Sequence, residues 1–385
     1  MKKRVLELMR VAPALLALGP VFCQVQSSGK SYAFEFTEVV DSTNGFNSIG
    51  SFPAINNHGE VAFRAASNGG TEGIFRAGQA LDKLATIAST SDGLSFFGDD
   101  VAINPGGVVV FDATTASNSH SIYKGDGRSK ILIADSMANG LSRIGVAAPS
   151  INASGNVAFS ATLAQRGSPV AVFTGNGGPL TTVLSTSATG FSGFQNVAIN
   201  DRGTIVFSAS LRDGSSGVFT ASDALVDIVD TNRKPEIASF GDPVINSAGV
   251  VADVAFLVVR GAPEIFTGTA RGVTARNDPS NPPFTNSEHP SINNSGAVAF
   301  SAIPNFAGDT APTGIFLEVS GGQSLIPVIR PGDKLFGSIV DHVDLGRFAL
   351  NDRFQMVFSY TLTDGRSGIA IASYNGERGD ENPSH

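Results

Sequence analysis

Ile55–Phe63 reads INNHGEVAF, and the same frame returns as INASGNVAF at Ile151–Phe159 and INNSGAVAF at Ile292–Phe300. Looser copies lie between and after them. The asparagines that mark the frame are Asn56, Asn104, Asn152, Asn200, Asn246, Asn293 and Asn351, spaced 48, 48, 48, 46, 47 and 58 residues apart. A repeat of this length means one supersecondary unit copied along the chain. A glycine follows three residues after the asparagine in six copies: Gly59, Gly107, Gly155, Gly203, Gly249 and Gly296; the seventh has Phe354. Asparagine at a turn's first position bonds backbone amides further on. Glycine at the fourth takes a positive φ without steric cost. The pattern Asn-x-x-Gly therefore predicts the tight turn of a β-hairpin, and these residues are assigned a structural role.

Each repeat parses into four short strands. FPAI or DVAI precedes the turn, and EVAFRA or TIVFSAS follows it. A third run resembles GIFRAG or GVFTAS, and a fourth KLATIAS or KILIADS. All are rich in β-branched and aromatic residues and bounded by Gly, Ser, Asn and Asp. No helical apolar period interrupts them. In EVAFRA, Val61, Phe63 and Ala65 share one face, and Ala62 and Arg64 share the other. A large face packing on a neighbour's small face would keep the interior dense. The 27 phenylalanines, with no tryptophan, recur at fixed repeat positions, as core residues do.

Four strands in about 45 residues match a propeller blade. The fold expected is all-β: a seven-bladed β-propeller with four antiparallel strands per blade. The last repeat runs out after its third strand, GIAIASY at Gly368–Tyr374, whereas Ala33–Phe46 resembles a fourth strand without its first three. The N-terminal strand should therefore complete the last blade, Ala33–Asp41 lying beside Gly368–Tyr374. An open β-array and two smaller β-domains are the alternatives. In the fifth repeat Asp253 falls in the phenylalanine register, and an inserted bulge in VADVAF, with Phe256 recovering the core position, is expected.

The expected organisation is a signal peptide over 1–23, a linker over 24–32, one propeller domain over 33–374 and a disordered tail over 375–385. Lys2, Lys3, Arg4 and Arg10 precede the apolar stretch Val11–Phe22, which is too short and too broken to span a bilayer. Cleavage after Cys23 is expected; lipidation of Cys23 is disfavoured by the bulky Phe22. Cys23 is the only cysteine, so cysteine clusters for zinc or iron–sulfur are excluded. The net charge is −8, and the first 23 residues hold four basic and one acidic residue, leaving about −11 for the rest. Such a surface repels phosphate backbones, which argues against nucleic acid as a partner.

The repeats NNHGEVAF, NASGNVAF and NNSGAVAF, with NDRGTIVF and NPGGVVVF close to them, resemble a family of bacterial tandem-repeat proteins named after the NxxGxxAF pattern, over about Phe46–Tyr374. The resemblance implies an exported or surface protein, often with a choice of C-terminal anchor. The tail NGERGDENPSH departs from that, having no apolar segment. The resemblance implies no particular activity.

Propellers present ligands at the channel mouth, where the innermost strands begin. Four residues before each repeat asparagine stand Phe52, Asp100, Ala148, Asn196, Asp242, His289 and Arg347, with Asp99, Gln195 and Glu288 beside them. The next position inward is apolar in every copy, from Pro53 to Phe348. Variation on a constant scaffold is where function tends to lie. The expected ligand-binding set is Asp99, Asp100, Gln195, Asn196, Asp242, Glu288, His289 and Arg347. Oxygen ligands from Asp100 and Asp242 could hold Ca²⁺, and Glu288 with His289 could do acid–base chemistry. The insertion Arg330–Arg347, read as a long loop, offers Asp341 and His342 as a second catalytic pair. Solvated strand ends and a solvated loop are the plainer readings of both sets, and His58 and His120 are read as surface histidines. No nucleophile elbow, phosphate loop, dinucleotide fingerprint or zinc-protease motif is present. The sequence thus favours an exported, repeat-built, monomeric module that binds an extracellular ligand or protein. An extracellular hydrolase or lyase acting on a polysaccharide-type polymer is the alternative, and a structural matrix component a third.

Overall fold

The computed structural model describes residues 31–78, 84–145, 148–258, 263–276, 284–304, 313–319 and 325–378. The expected signal peptide and Cys23, most of the linker and the end of the tail lie outside them. Among the described residues no helix is long and apolar enough to cross a membrane. Seven antiparallel sheets follow one another along the chain as the blades of a β-propeller. Blade 1 shows the pattern. Phe46–Ile49 and Ala54–Ile55 form the innermost strand, followed outward by Val61–Ser67, Glu72–Ala77 and Ala85–Ser89. In blade 7 the order outward is Ser338–Asp344, Gln355–Leu362, Ser367–Arg378 and then the N-terminal strand Ser31–Asp41.

That last pairing is the expected seam. Asp41 lies opposite Gly368 and Phe34 opposite Tyr374, and the ladder continues to Ser31 opposite Arg378. The seam thus takes in residues assigned to linker and tail. It covers the outer edge of Ser367–Arg378.

The turns hold the ring together in a second way. In all seven copies the asparagine Oδ1 accepts the amide of the residue four positions on, at 2.9–3.0 Å. The Nδ2 of the same side chain donates to the backbone carbonyl of the next blade's asparagine. These bonds run Asn56 to Asn104, then Asn152, Asn200, Asn246, Asn293, Asn351 and back to Asn56, at 2.9–3.3 Å. All seven side chains are buried, at 3–4 % exposure. The six glycines have φ between 75° and 85°, and Phe354 takes the same left-handed conformation at 56°.

The core is built from alternating faces. Ala158 and Val172 of blade 3 pack against Phe207 and Phe219 of blade 4, and Ala62 and Ile74 of blade 1 against Phe111 of blade 2. Across the middle strands of blades 1, 2, 3, 4 and 6 the aromatic rings stack, as in Phe159–Phe173 (5.6 Å) and Phe207–Phe219 (5.9 Å). Blade 5 breaks this pattern without the expected bulge. Val251–Leu257 pairs in unbroken register with its neighbour, and Asp253 faces Phe266 where the other blades have a ring. There is no insertion: a carboxyl has replaced the phenylalanine. Its Oδ1 accepts the Val254 amide at 2.7 Å, and its Oδ2 has no hydrogen-bond partner among the described residues. Complete burial pushes this carboxyl well above the ordinary aspartate range.

Two outcomes are expected. Asn152→Asp keeps the acceptor that closes the turn but removes the donor to the Asn200 carbonyl, and should cost about 1–3 kcal/mol in urea unfolding. Asp253 titrates higher in the folded than in the unfolded chain, so the unfolded state binds fewer protons at neutral pH and stability falls as pH rises above the ordinary aspartate pKa. Asp253→Asn should therefore raise the urea midpoint at pH 8 by more than it does near pH 4; an equal effect at both would refute the assignment.

Candidate functional site

The innermost strands begin earlier than expected. Phe46 and Leu94 start theirs ten residues before Asn56 and Asn104. The preceding segments are not strand but single 3-10 turns, Ser42–Asn44 and Thr90–Asp92, each capped by Asp41 or Ser89 and ended by a left-handed glycine. Each inner strand then breaks or bulges before its last residues. In blades 4 and 6 the register shifts between Phe194 and Val197 and between Glu288 and Ser291. Proline at 53, 149, 243 and 290 supplies part of the reason, since it cannot donate to the ladder. The residues four before each asparagine therefore do not open the strand, as the sequence suggested. They sit on bulges partway along it.

The bulges bring most of the expected set together. Burial raises the Asp100 carboxyl above its ordinary range; Arg347 and His289 oppose that shift, while Asp242 and Asp99 reinforce it. Asp242 accepts a hydrogen bond from Asn196 Nδ2. His289 holds a left-handed φ of 50°, a strained conformation for a residue with a Cβ. Its ring lies 4.9 Å from that of Phe52. Gly346 makes room for this, because a Cβ there would meet the Phe52–Pro53 backbone and side chain within 3.3 Å.

Arg347 is no rim residue. It is 4 % exposed, and it reaches across the channel from blade 7 to donate from Nη2 to the carbonyls of Pro243 (2.9 Å) and Val197 (3.4 Å). Its guanidinium lies 5.3 Å from the centre of the Phe348 ring, and its Nε has no acceptor among the described residues. Phe348 packs against core clusters drawn from blades 1 to 6. The pair fills the middle of the channel.

Other expected residues lie apart. Gln195 lines a recess between blades 3 and 4 with Arg143, Ser160, Phe194 and its neighbour Asn196, and Glu288 is exposed. The 330–347 insertion is a hairpin, Lys334–Leu335 with Ser338–Asp344, and the latter supplies the inner strand of blade 7, so the long loop expected there does not exist. His342 meets Asp344 at 3.2 Å rather than Asp341, which points to solvent. Among the described residues no three His, Cys, Asp or Glu side chains converge as a metal would need.

The sequence reading missed His120. It opens a strand in blade 2, and its Nε2 lies 2.8 Å from Asp112 Oδ2. Both line a bay of about 350 Å³ together with Phe96, Asp99 and Asp100. Asp99 is bound by Arg64 at 2.7 Å. Asp100, the third carboxylate, forms no ion pair among the described residues. One signal could have found the bay: eight residues after the asparagine, Asp112 stands where four other blades have serine.

At the opposite end of the channel the turns enclose a funnel of about 160 Å³. Its collar is one aliphatic residue per blade, immediately before each asparagine: Ile55, Ile103, Ile151, Ile199, Ile245, Ile292 and Leu350. Arg347 and Phe348 form its floor.

No protein-family model and no curated protein matches the chain. Solved structures share its fold. The β-propeller domain of the Trilobed protease from Pyrococcus furiosus, which has an open velcro topology, aligns with TM-score 0.56 at 11 % identity, over 86 % of this chain and 95 % of that one. The acylaminoacyl peptidase of Pyrococcus horikoshii aligns with TM-score 0.57 at 12 % identity, over 86 % of this chain. Prolyl oligopeptidase B from Galerina marginata gives 0.53 at 11 % identity, over 90 %. This chain spans about half the length of the last two, 52 % and 49 %. At these identities the likeness is one of fold.

Proposed function

We propose that this propeller is an exported binding module, and that its blade 2 bay takes a ligand bearing a primary ammonium group. The observation that carries the reading is the bay's charge. Asp99, Asp100 and Asp112 line one recess, Arg64 and His120 answer two of them, and Asp100 is left to an incoming cation. Phe96, 52 % exposed at the same recess, offers an apolar face to the ligand's body. Desolvation of Asp100 makes a partner favourable, because a buried carboxylate is costly until it is paired. Binding is preferred to catalysis on the geometry of His289. A general base needs an orienting partner, and the His289 ring expected to act as one packs on Phe52 with no carboxylate hydrogen-bonded to it among the described residues, whereas the oriented His120 answers Asp112 at the ligand's own recess. The basic, apolar N-terminal stretch supports export.

Cadaverine and glutarate, opposite in charge and equal in carbon count, test the reading by calorimetry. Cadaverine should bind and glutarate should not. Asp100→Asn should weaken the amine about 10- to 100-fold, the value of one charge-assisted hydrogen bond. Because burial raises the Asp100 pKa, affinity for the amine should strengthen as pH rises through and above the ordinary aspartate range. Binding of glutarate in preference to cadaverine, or an unchanged affinity in Asp100→Asn, would overturn the proposal.

A further inference from the structure

Arg347 is a buried cation with an incomplete set of acceptors. A guanidinium taken out of water is strongly disfavoured unless an anion pairs with it, and Arg347 has no ion-paired carboxylate among the described residues. Nη2 uses two backbone carbonyls and Nε none. The carboxyl groups that feel its charge do not serve as its partner. Asp100 shares its tier but forms no ion pair with it, and burial pushes the Asp253 carboxyl well above its ordinary range. Yet the Arg347 side chain lines the floor of the funnel that opens on the turn face.

The geometry points to a second binding site in that funnel, for a small monocarboxylate whose carboxylate pairs with Arg347 and whose apolar body fills the aliphatic collar. The volume suits the occupant: about 160 Å³ is close to that of an engineered apolar cavity known to hold one benzene. The collar provides aliphatic contact on all sides. Two acids stand at the entrance, each fixed by hydrogen bonds from neutral donors that leave its charge in place. Asp201 accepts the Ala153 amide (2.8 Å) and the Ser247 hydroxyl (3.1 Å). Asp352 accepts the Asn294 amide (2.7 Å) and the Nδ2 groups of Asn57 and Asn294 (2.7 and 2.8 Å). Arg347 is the only basic side chain lining the funnel among the described residues, and it lies at the far end from those acids. This sets the ligand's direction, with the carboxylate deep and the tail outward. The site is independent of the blade 2 bay, which lies on the other side of the Arg347–Phe348 plug.

Hexanoate, 1-hexanol and hexylamine share a tail and differ in head group, so their affinities for the full chain, read by calorimetry or NMR titration, separate the possibilities. Hexanoate should bind at least about tenfold more tightly than hexanol, and hexylamine most weakly at this site. Arg347→Met should remove the advantage of hexanoate over hexanol. Because a change at a buried arginine can disturb folding, Ile151→Phe gives a second arm: it fills the collar, leaves Arg347 in place, and should abolish hexanoate binding without altering the response to cadaverine. The proposal fails if hexanoate does not bind, if hexanol or hexylamine binds as tightly, or if hexanoate binding survives both substitutions. Asp100→Asn should leave hexanoate affinity within about twofold, so failure of the bay and failure of the funnel give different results.

Discussion

Each repeat asparagine uses one amide group for two purposes. Its oxygen fastens the backbone of its own turn, and its nitrogen fastens that turn to the next blade. The requirement is for an acceptor and a donor on one short side chain, which serine is too short to meet and aspartate cannot meet while ionised. Because the bonds run head to tail around a circle, every member is polarised by its neighbours and no member is terminal. The collar and the funnel inherit their diameter from this circle, since the aliphatic residues sit one position before it.

The period, the turn chemistry and the missing fourth strand of the last repeat were enough to place seven blades and their seam. They were enough because those features are local: a turn must satisfy its own backbone, and a strand must find an edge. The bond from Asn56 to Asn104 was not legible, because nothing in a single repeat says what its free amide hydrogens face. The inner strands were misjudged for a related reason. Asp41 and Ser89 cap short 3-10 turns, so segments that resembled the tail of one strand are the link to the next. A carboxyl in a core register suggests an insertion at Asp253, but the ladder keeps its register and encloses the group, whose pKa burial pushes up.

The candidate site was half legible. Aligning the repeats identified the tier that holds Asp100, Asn196, Asp242, His289 and Arg347, since scaffold positions stay constant and this tier varies. It could not show depth. Arg347 looks like one more polar residue at a variable position, yet it crosses the channel and, with Phe348, fills its middle. His120 was overlooked because its significance lies in Asp112, on the adjacent strand and eight residues away, and cross-strand neighbours emerge only once the hairpin register is known.

The seam between the first and last strands has a mechanical corollary. The strands are antiparallel, so Ser31 and Arg378 lie side by side at one end of the ladder. Tension applied between the two termini would peel the strands apart pair by pair from that end, rather than load all the rungs together in shear. A module tethered through one terminus only would escape such stress. One strung between two attachments would yield first at its own ring joint.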